Sequence, residues 1–117
     1  MGFLVYDDTH AVHLEDRTLA HLQIVVIDKL RRKEKFALNL VDNRSFVTMW
    51  LNACTPLMFV YEGNRQPHIN VAWVELLAGE ASLTGVLELL PEPAEQNPAA
   101  RAGSLAGNTR GVVPSPA

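Results

Sequence analysis

From Arg17 onward, Leu19, Leu22, Val26 and Leu30 recur at spacings of three and four residues. That spacing lays one apolar stripe along a helix of about four turns. A competing rule acts in the same stretch. Ile24-Val25-Val26-Ile27 is an unbroken β-branched run, and such side chains lose rotamer freedom in a helix. The stripe decides for the helix, because it persists over several turns and ends in cations that suit the negative pole of the helix dipole. Asp16 stands just ahead of it. Its carboxylate can accept from the orphan amides of the first turn, which makes it the expected N-cap. His21 falls on the side away from Leu19 and Leu22.

Strand signals surround this helix. Phe3 to Tyr6 and Ala11 to Leu14 flank the turn residues Asp7-Asp8-Thr9-His10, which reads as a hairpin. Beyond the helix, Phe36 to Val41 leads through Asp42-Asn43-Arg44 into Ser45 to Leu51. The latter alternates Phe46, Thr48 and Trp50 on one face with Val47, Met49 and Leu51 on the other. The turn Asn52-Ala53-Cys54-Thr55 then precedes Leu57 to Glu62. Connections this short join antiparallel neighbours, so the three strands are expected to form a meander. Asn70 is placed to cap a second helix carrying Ala72, Trp73, Leu76 and Leu77 inward, with Gly79 near its end. Gly85 opens a last strand, Val86 to Leu90. The order β-β-α-β-β-β-α-β predicts an α+β domain with a mostly antiparallel sheet and two helices packed on it.

Composition breaks at Pro91. Residues 91–117 hold five of the seven prolines, no aromatic residue, and only Glu92, Glu95, Arg101 and Arg110 as charges. Such a stretch buries too little apolar surface to offset the entropy of ordering its backbone. The expected organisation is a single domain over residues 1–90 and a disordered Pro/Gly/Ala-rich tail over 91–117. The longest uncharged run, Ser45 to Tyr61, alternates and contains Thr, Asn, Cys and Pro. It is no membrane helix, which needs about 20 predominantly apolar residues. The N-terminus meets Asp7 and Asp8 without a basic region before them, unlike a signal peptide. With one cysteine, Cys54, and no export signal, the expected compartment is the cytoplasm.

Charge is distributed unevenly. Lys29, Arg31, Arg32, Lys33 and Lys35 crowd a seven-residue segment whose one acid is Glu34, in a chain of net charge −3. Outside that segment, residues 1–90 carry ten acids against three cations. The run reads either as a phosphate-gripping surface for nucleic acid or as a solvated helix end complementing its dipole. Phe36, Phe46, Trp50, Phe59 and Tyr61 lie on predicted strands, where such residues stack bases or, more commonly, fill the core. No pair among His10, His13, His21 and His68 has zinc-ligand spacing, and Cys54 has no cysteine partner. Cys54 is expected to be a buried or semi-buried structural thiol, and Asp7-Asp8 a turn-forming pair. No glycine-rich phosphate loop, G-x-S-x-G or H-E-x-x-H occurs. No cofactor and no metal are expected.

Several stretches together resemble a known family. They are Leu14-Glu15-Asp16-Arg17-Thr18-Leu19-Ala20-His21-Leu22-Gln23, Lys29-Leu30-Arg31-Arg32, Trp50-Leu51, Asn70-Val71-Ala72-Trp73-Val74-Glu75, and Leu89-Leu90-Pro91-Glu92-Pro93. They are similar to a family of small actinobacterial proteins of unknown function, whose members often carry the label ATP-dependent DNA ligase. The resemblance covers nearly all of residues 1–93 and implies no catalytic residues. The label itself conflicts with the residues. Such a ligase takes AMP on the lysine of a K-x-D-G motif. Here Lys29 is followed by Leu-Arg-Arg, Lys33 by Glu-Lys-Phe and Lys35 by Phe-Ala-Leu.

The expectation is a non-catalytic binding module that meets a protein or a nucleic-acid backbone through Lys29 to Lys35. The alternatives are a DNA-ligase-associated or DNA-repair accessory, and a structural homodimer joined through a sheet edge or the second helix.

Overall fold

The computed structural model describes residues 1–63 and 65–95. Strands β1 (Gly2–Tyr6) and β2 (His10–Leu14) precede helix α1 (Asp16–Arg31); β3 (Phe36–Asp42), β4 (Ser45–Leu51) and β5 (Leu57–Val60) follow, then α2 (Val71–Thr84) and β6 (Val86–Glu88). Six strands and two helices thus appear in the order read from the sequence. No helix among the described residues is long and apolar enough to cross a membrane. The expected tail from residue 96 onward lies outside the described residues.

The strands form two three-stranded sheets, ordered β2-β1-β5 and β4-β3-β6, antiparallel except for the β3–β6 pair. The expected meander therefore breaks after β4. β5 pairs with β1, Leu4 opposite Phe59, and does not return along β4. The Asn52–Thr55 turn redirects the chain: the Cys54 N–H donates to Asn52 Oδ1 (2.8 Å) and the Thr55 N–H to the Asn52 carbonyl (3.0 Å). The Asp7 N–H then anchors the Pro56 carbonyl at 2.9 Å, setting β5 beside the first hairpin. Asp7 and Asp8 have φ of 53° and 58°, a region that short polar side chains tolerate in turns.

Gly2 is the residue that lets β1 approach α1. A Cβ there would lie 2.2 Å from the Val60 carbonyl oxygen and 2.8 Å from Asp16 Oδ1. Asp16 is not the N-cap. Glu15 occupies that position without a side-chain bond, and Asp16 opens the helix. Its carboxylate instead accepts from the Gly63 N–H (3.3 Å), tying the chain after β5 to the start of α1. Asn70 caps α2 as expected, its Oδ1 accepting from the Ala72 N–H at 3.1 Å. The helix runs through Gly79 and ends at Gly85, which adopts φ 78° and donates its N–H to Ala81 O. Burial of Leu77 and Ala81 on either side of Gly79 carries the helix past it, since one interior glycine costs only about 1 kcal/mol.

The core gathers Leu4, Val12, Leu19, Leu22, Val25, Val26, Leu38, Leu40, Leu51, Leu77 and Leu87. Leu30, the last member of the helix stripe, is only partly buried. Among the strand aromatics, Phe36 is buried and Phe59 and Tyr61 are partly so. Phe46 and Trp50 are not core: they remain 66% and 52% exposed on the outer face of β4.

His21 departs furthest from expectation. It is fully buried, because α1 packs on β1 with one side and on α2 with another. Its Nδ1 lies 2.7 Å from the Arg17 carbonyl, and its Nε2 receives the Asn70 N–H at 2.8 Å. One nitrogen must donate and the other accept, which fixes the neutral Nδ1–H tautomer. Its ring lies against Trp73, with centroids 4.6 Å apart, and Trp73 Nε1 donates to the Leu90 carbonyl at 2.9 Å. Asn70 Nδ2 donates to Glu92 Oε2 and to the Pro93 carbonyl, each at 2.9 Å. Glu92 closes the ring by pairing with Arg17, whose Nη1 also donates to the His68 carbonyl at 2.7 Å. Glu95 meets His68 in turn. Contacts with the domain therefore continue through Glu95, past the composition break at Pro91.

Two outcomes follow from this packing. Trp73→Ala should cost roughly 3–5 kcal/mol, the usual range for emptying a core aromatic site, as read from chemical denaturation. Hydrogen bonds from Arg17 and Asn70 hold the Glu92 carboxyl well below its ordinary value of 4.5, at about 2. A carboxylate with a depressed folded-state pKa contributes stability above its unfolded pKa and loses it as pH falls through the folded value. The melting temperature should drop between about pH 4.5 and pH 2, and Glu92→Gln should flatten that part of the profile.

Candidate binding surface

The residues with catalytic chemistry are scattered. Cys54 is exposed, contrary to the expectation of a buried thiol, because its turn is held by backbone bonds that leave the side chain outside. His10 pairs with Asp42 at 3.2 Å, and His13 lies beside the Phe3 ring. Asp7 and Asp8 are exposed turn residues. No three His, Cys, Asp or Glu side chains converge as metal ligands among the described residues.

The basic run is divided by the end of α1. Lys29 points inward, its side chain 3% exposed, with Nζ donating to Glu34 Oε1 (3.1 Å) and Ser82 Oγ (3.2 Å). It also lies 5.9 Å above the Phe36 ring, within cation–π range. Lys29 thus ties α1 to α2 and leaves the set of residues able to meet a phosphate. Arg31 and Arg32 are at the surface, but both grip Asp28, at 3.2 and 2.8 Å, and Arg32 also reaches Glu34 at 3.1 Å. The hydrogen bond from Arg31, with Arg32 beside it, holds the Asp28 carboxyl below the usual carboxylate range. Lys33, in a left-handed turn at φ 62°, and Lys35 are exposed and form no ion pair among the described residues. Two of the five cations therefore project without a carboxylate partner.

A groove of about 610 Å³ opens on the outer side of α1. Ala20, Ile24 and Ile27 of α1 line it together with Tyr61, Pro67 and Ile69 from the segment between β5 and α2. Ile24 and Ile27 remain 40% and 48% exposed. Arg31 and Arg65 stand among its lining residues, with Gln23, Asp28 and Gln66. The Tyr61 hydroxyl bonds Gln23, which braces that segment against the helix, and burial pushes the Tyr61 pKa up. Only Arg31 belongs to both the groove and the basic run. Sequence reading missed the groove, although it held a signal. Four consecutive β-branched residues cover more than one face of a helix. The core takes Val25 and Val26, which leaves Ile24 and Ile27 for a second apolar face.

The division of the basic run is directly measurable. Limited acetylation of the folded protein with an amine-reactive reagent should modify Lys33 and Lys35 and spare Lys29, as read by peptide mass spectrometry. Unfolding should make all three react alike.

Comparison with protein-family models matches residues 1–92 to Domain of unknown function (DUF7882). Comparisons with curated proteins and with solved structures return no match. The match takes in both sheets, both helices and the Arg17–Glu92 pair that fastens the end of the fold, and the chain belongs to this family, the domain of unknown function DUF7882.

Proposed function

We propose that this domain is a non-catalytic binding module for a protein partner, whose docking segment lies along the groove over α1. One observation carries the reading: Ile24 and Ile27 stay open to solvent on a helix whose other faces are packed. Full burial of an isoleucine stabilises by about 1.5–3 kcal/mol, so covering these two half-exposed residues offers a useful share of a micromolar interaction. Arg31 and Arg65 among the lining residues favour a segment with apolar residues flanked by carboxylates.

A nucleic-acid backbone is the second reading, favoured by the exposed Lys33 and Lys35. The same geometry limits it. With Lys29 buried and both arginines bound to Asp28, two free phosphate contacts would give a log–log salt slope of only about −2. The acidic remainder of the chain opposes even that. The ligase label has no chemical support in the chain, since none of its three lysines begins a K-x-D-G motif.

A selection of displayed random peptides on the immobilised full chain tests the first reading. It should enrich peptides combining apolar and acidic residues, and Ile27→Asp should weaken their binding at least tenfold while leaving the circular dichroism spectrum unchanged. Enriched peptides that bind Ile27→Asp equally well would remove the groove as the site. Binding of duplex DNA that weakens with salt at a log–log slope of about −2, and weakens further on changing Lys33 and Lys35 to Ser, would favour the second reading.

A further inference from the structure

Strand β4 forms one edge of the β4-β3-β6 sheet. Exposed edges invite pairing with another chain, and proteins usually blunt them with charges, prolines or bulges. β4, Ser45-Phe46-Val47-Thr48-Met49-Trp50-Leu51, has none of these over seven residues. Its open backbone groups can be assigned from the ladder. The Ala37 N–H turns away from β4 to bond the Gly85 carbonyl. Ala37 and its partner Trp50 therefore exchange no ladder bonds, and Trp50 directs its backbone to the free edge. The Tyr6 hydroxyl confirms this by reaching the Trp50 carbonyl at 2.9 Å from outside the sheet. By alternation, Phe46 and Thr48 also direct their N–H and C=O groups outward.

We infer that two copies of this chain join through β4, antiparallel about a two-fold axis at Thr48, into a continuous six-stranded sheet. Thr48 is the midpoint of the strand, and the three outward-facing residues are placed symmetrically about it. In this register Phe46 of each copy lies directly opposite Trp50 of the other, on the outer face where both are exposed. Aromatics facing each other across neighbouring strands form a favourable cross-strand pair. Arg44, at the hairpin end, falls opposite Asn52, so no like charges meet. The arrangement is isologous, as a two-fold interface requires. The Tyr6 hydroxyl already occupies the Trp50 carbonyl and stands at each end of the seam, so the ladder bonds across it are those of the two Thr48 residues and of each Trp50 N–H with the facing Phe46 carbonyl. A second copy matches the edge better than a charged peptide would, because the strand offers no charge to recognise one. The interface is separate from the groove over α1 and does not rest on that reading.

Sedimentation velocity of the full chain across the micromolar range tests this. The wild type should populate a dimer, whereas Phe46→Lys and Trp50→Lys should sediment as monomers with unchanged circular dichroism. Ile27→Asp, in the groove, should leave the dimer intact. A variant with Thr48→Cys on a Cys54→Ser background should cross-link to itself through a short thiol-reactive linker. The same background with Ser45→Cys, displaced from the axis, should cross-link far less. A wild type that stays monomeric into the high micromolar range, or a dimer that survives Phe46→Lys and Trp50→Lys, would overturn the inference.

Discussion

The ring of polar contacts between α1 and α2 holds this domain in its shape. His21 has both nitrogens engaged inside the protein, with Asn70 supplying the donor on one side and the Arg17 carbonyl the acceptor on the other. Asn70 simultaneously caps α2 and fastens Glu92 and Pro93. Glu92 returns the chain to Arg17. Buried polar networks are favourable when every member is satisfied and costly when one is missing. Here every link is made, so the position of α2, the entry of residues 65–69 and the last described residues depend on one another. Pro67 and Ile69, which line the groove, flank His68, whose carbonyl Arg17 holds.

The charge split so evident along the sequence has a mostly internal use. Lys29 is the cation that would seem most natural at an exposed helix end, yet it is the buried one. An uncompensated buried ammonium would be severely unfavourable, and Glu34, Ser82 and the Phe36 ring together surround it. Asp28 and Glu34 take up the guanidinium groups of Arg31 and Arg32. Exposed pairs of this kind contribute little to stability. Their larger consequence is electrostatic, since they offset the local positive field that the sequence alone suggests.

Elements with a local signal were legible in the sequence. The stripe Leu19, Leu22, Val26 outweighed the β-branched run, and the alternation in Ser45 to Leu51 gave the two faces of β4 correctly. Asn70 marked the start of α2, but its end was placed near Gly79 and Gly85 was read only as the opening of the last strand, because packing around Leu77 and Ala81 is not visible in one dimension. Partners distant in sequence were not legible. The pairing of β5 with β1 depends on the Asp7–Pro56 contact, and the burial of His21 on a helix that arrives 49 residues later. Asp16 had the correct chemistry for a cap but a different client, the Gly63 amide across the fold. For the candidate surface, the basic run is plain in the sequence, whereas the second apolar face of Ile24 and Ile27 emerges only once the core has taken Val25 and Val26.

Three of the five stretches that carry the resemblance hold members of the ring. Arg17 and His21 lie in the first, Asn70 and Trp73 in the fourth, and Glu92 and Pro93 in the last. Those motifs therefore encode how two helices and a chain end are fastened, which explains why they suggest no chemistry. The ring and the core leave other side chains uncovered. Ile24 and Ile27 on α1, and Phe46 and Trp50 on β4, are such residues: each is large, apolar and exposed. Trp50 also stands in a resembling stretch, although neither the core nor the ring requires its side chain. Exposed apolar side chains also occur singly elsewhere, as at Val41 and Leu83, but Ile24 with Ile27 and Phe46 with Trp50 stand as pairs on one helix face and one strand, which is why the proposed contacts are placed there.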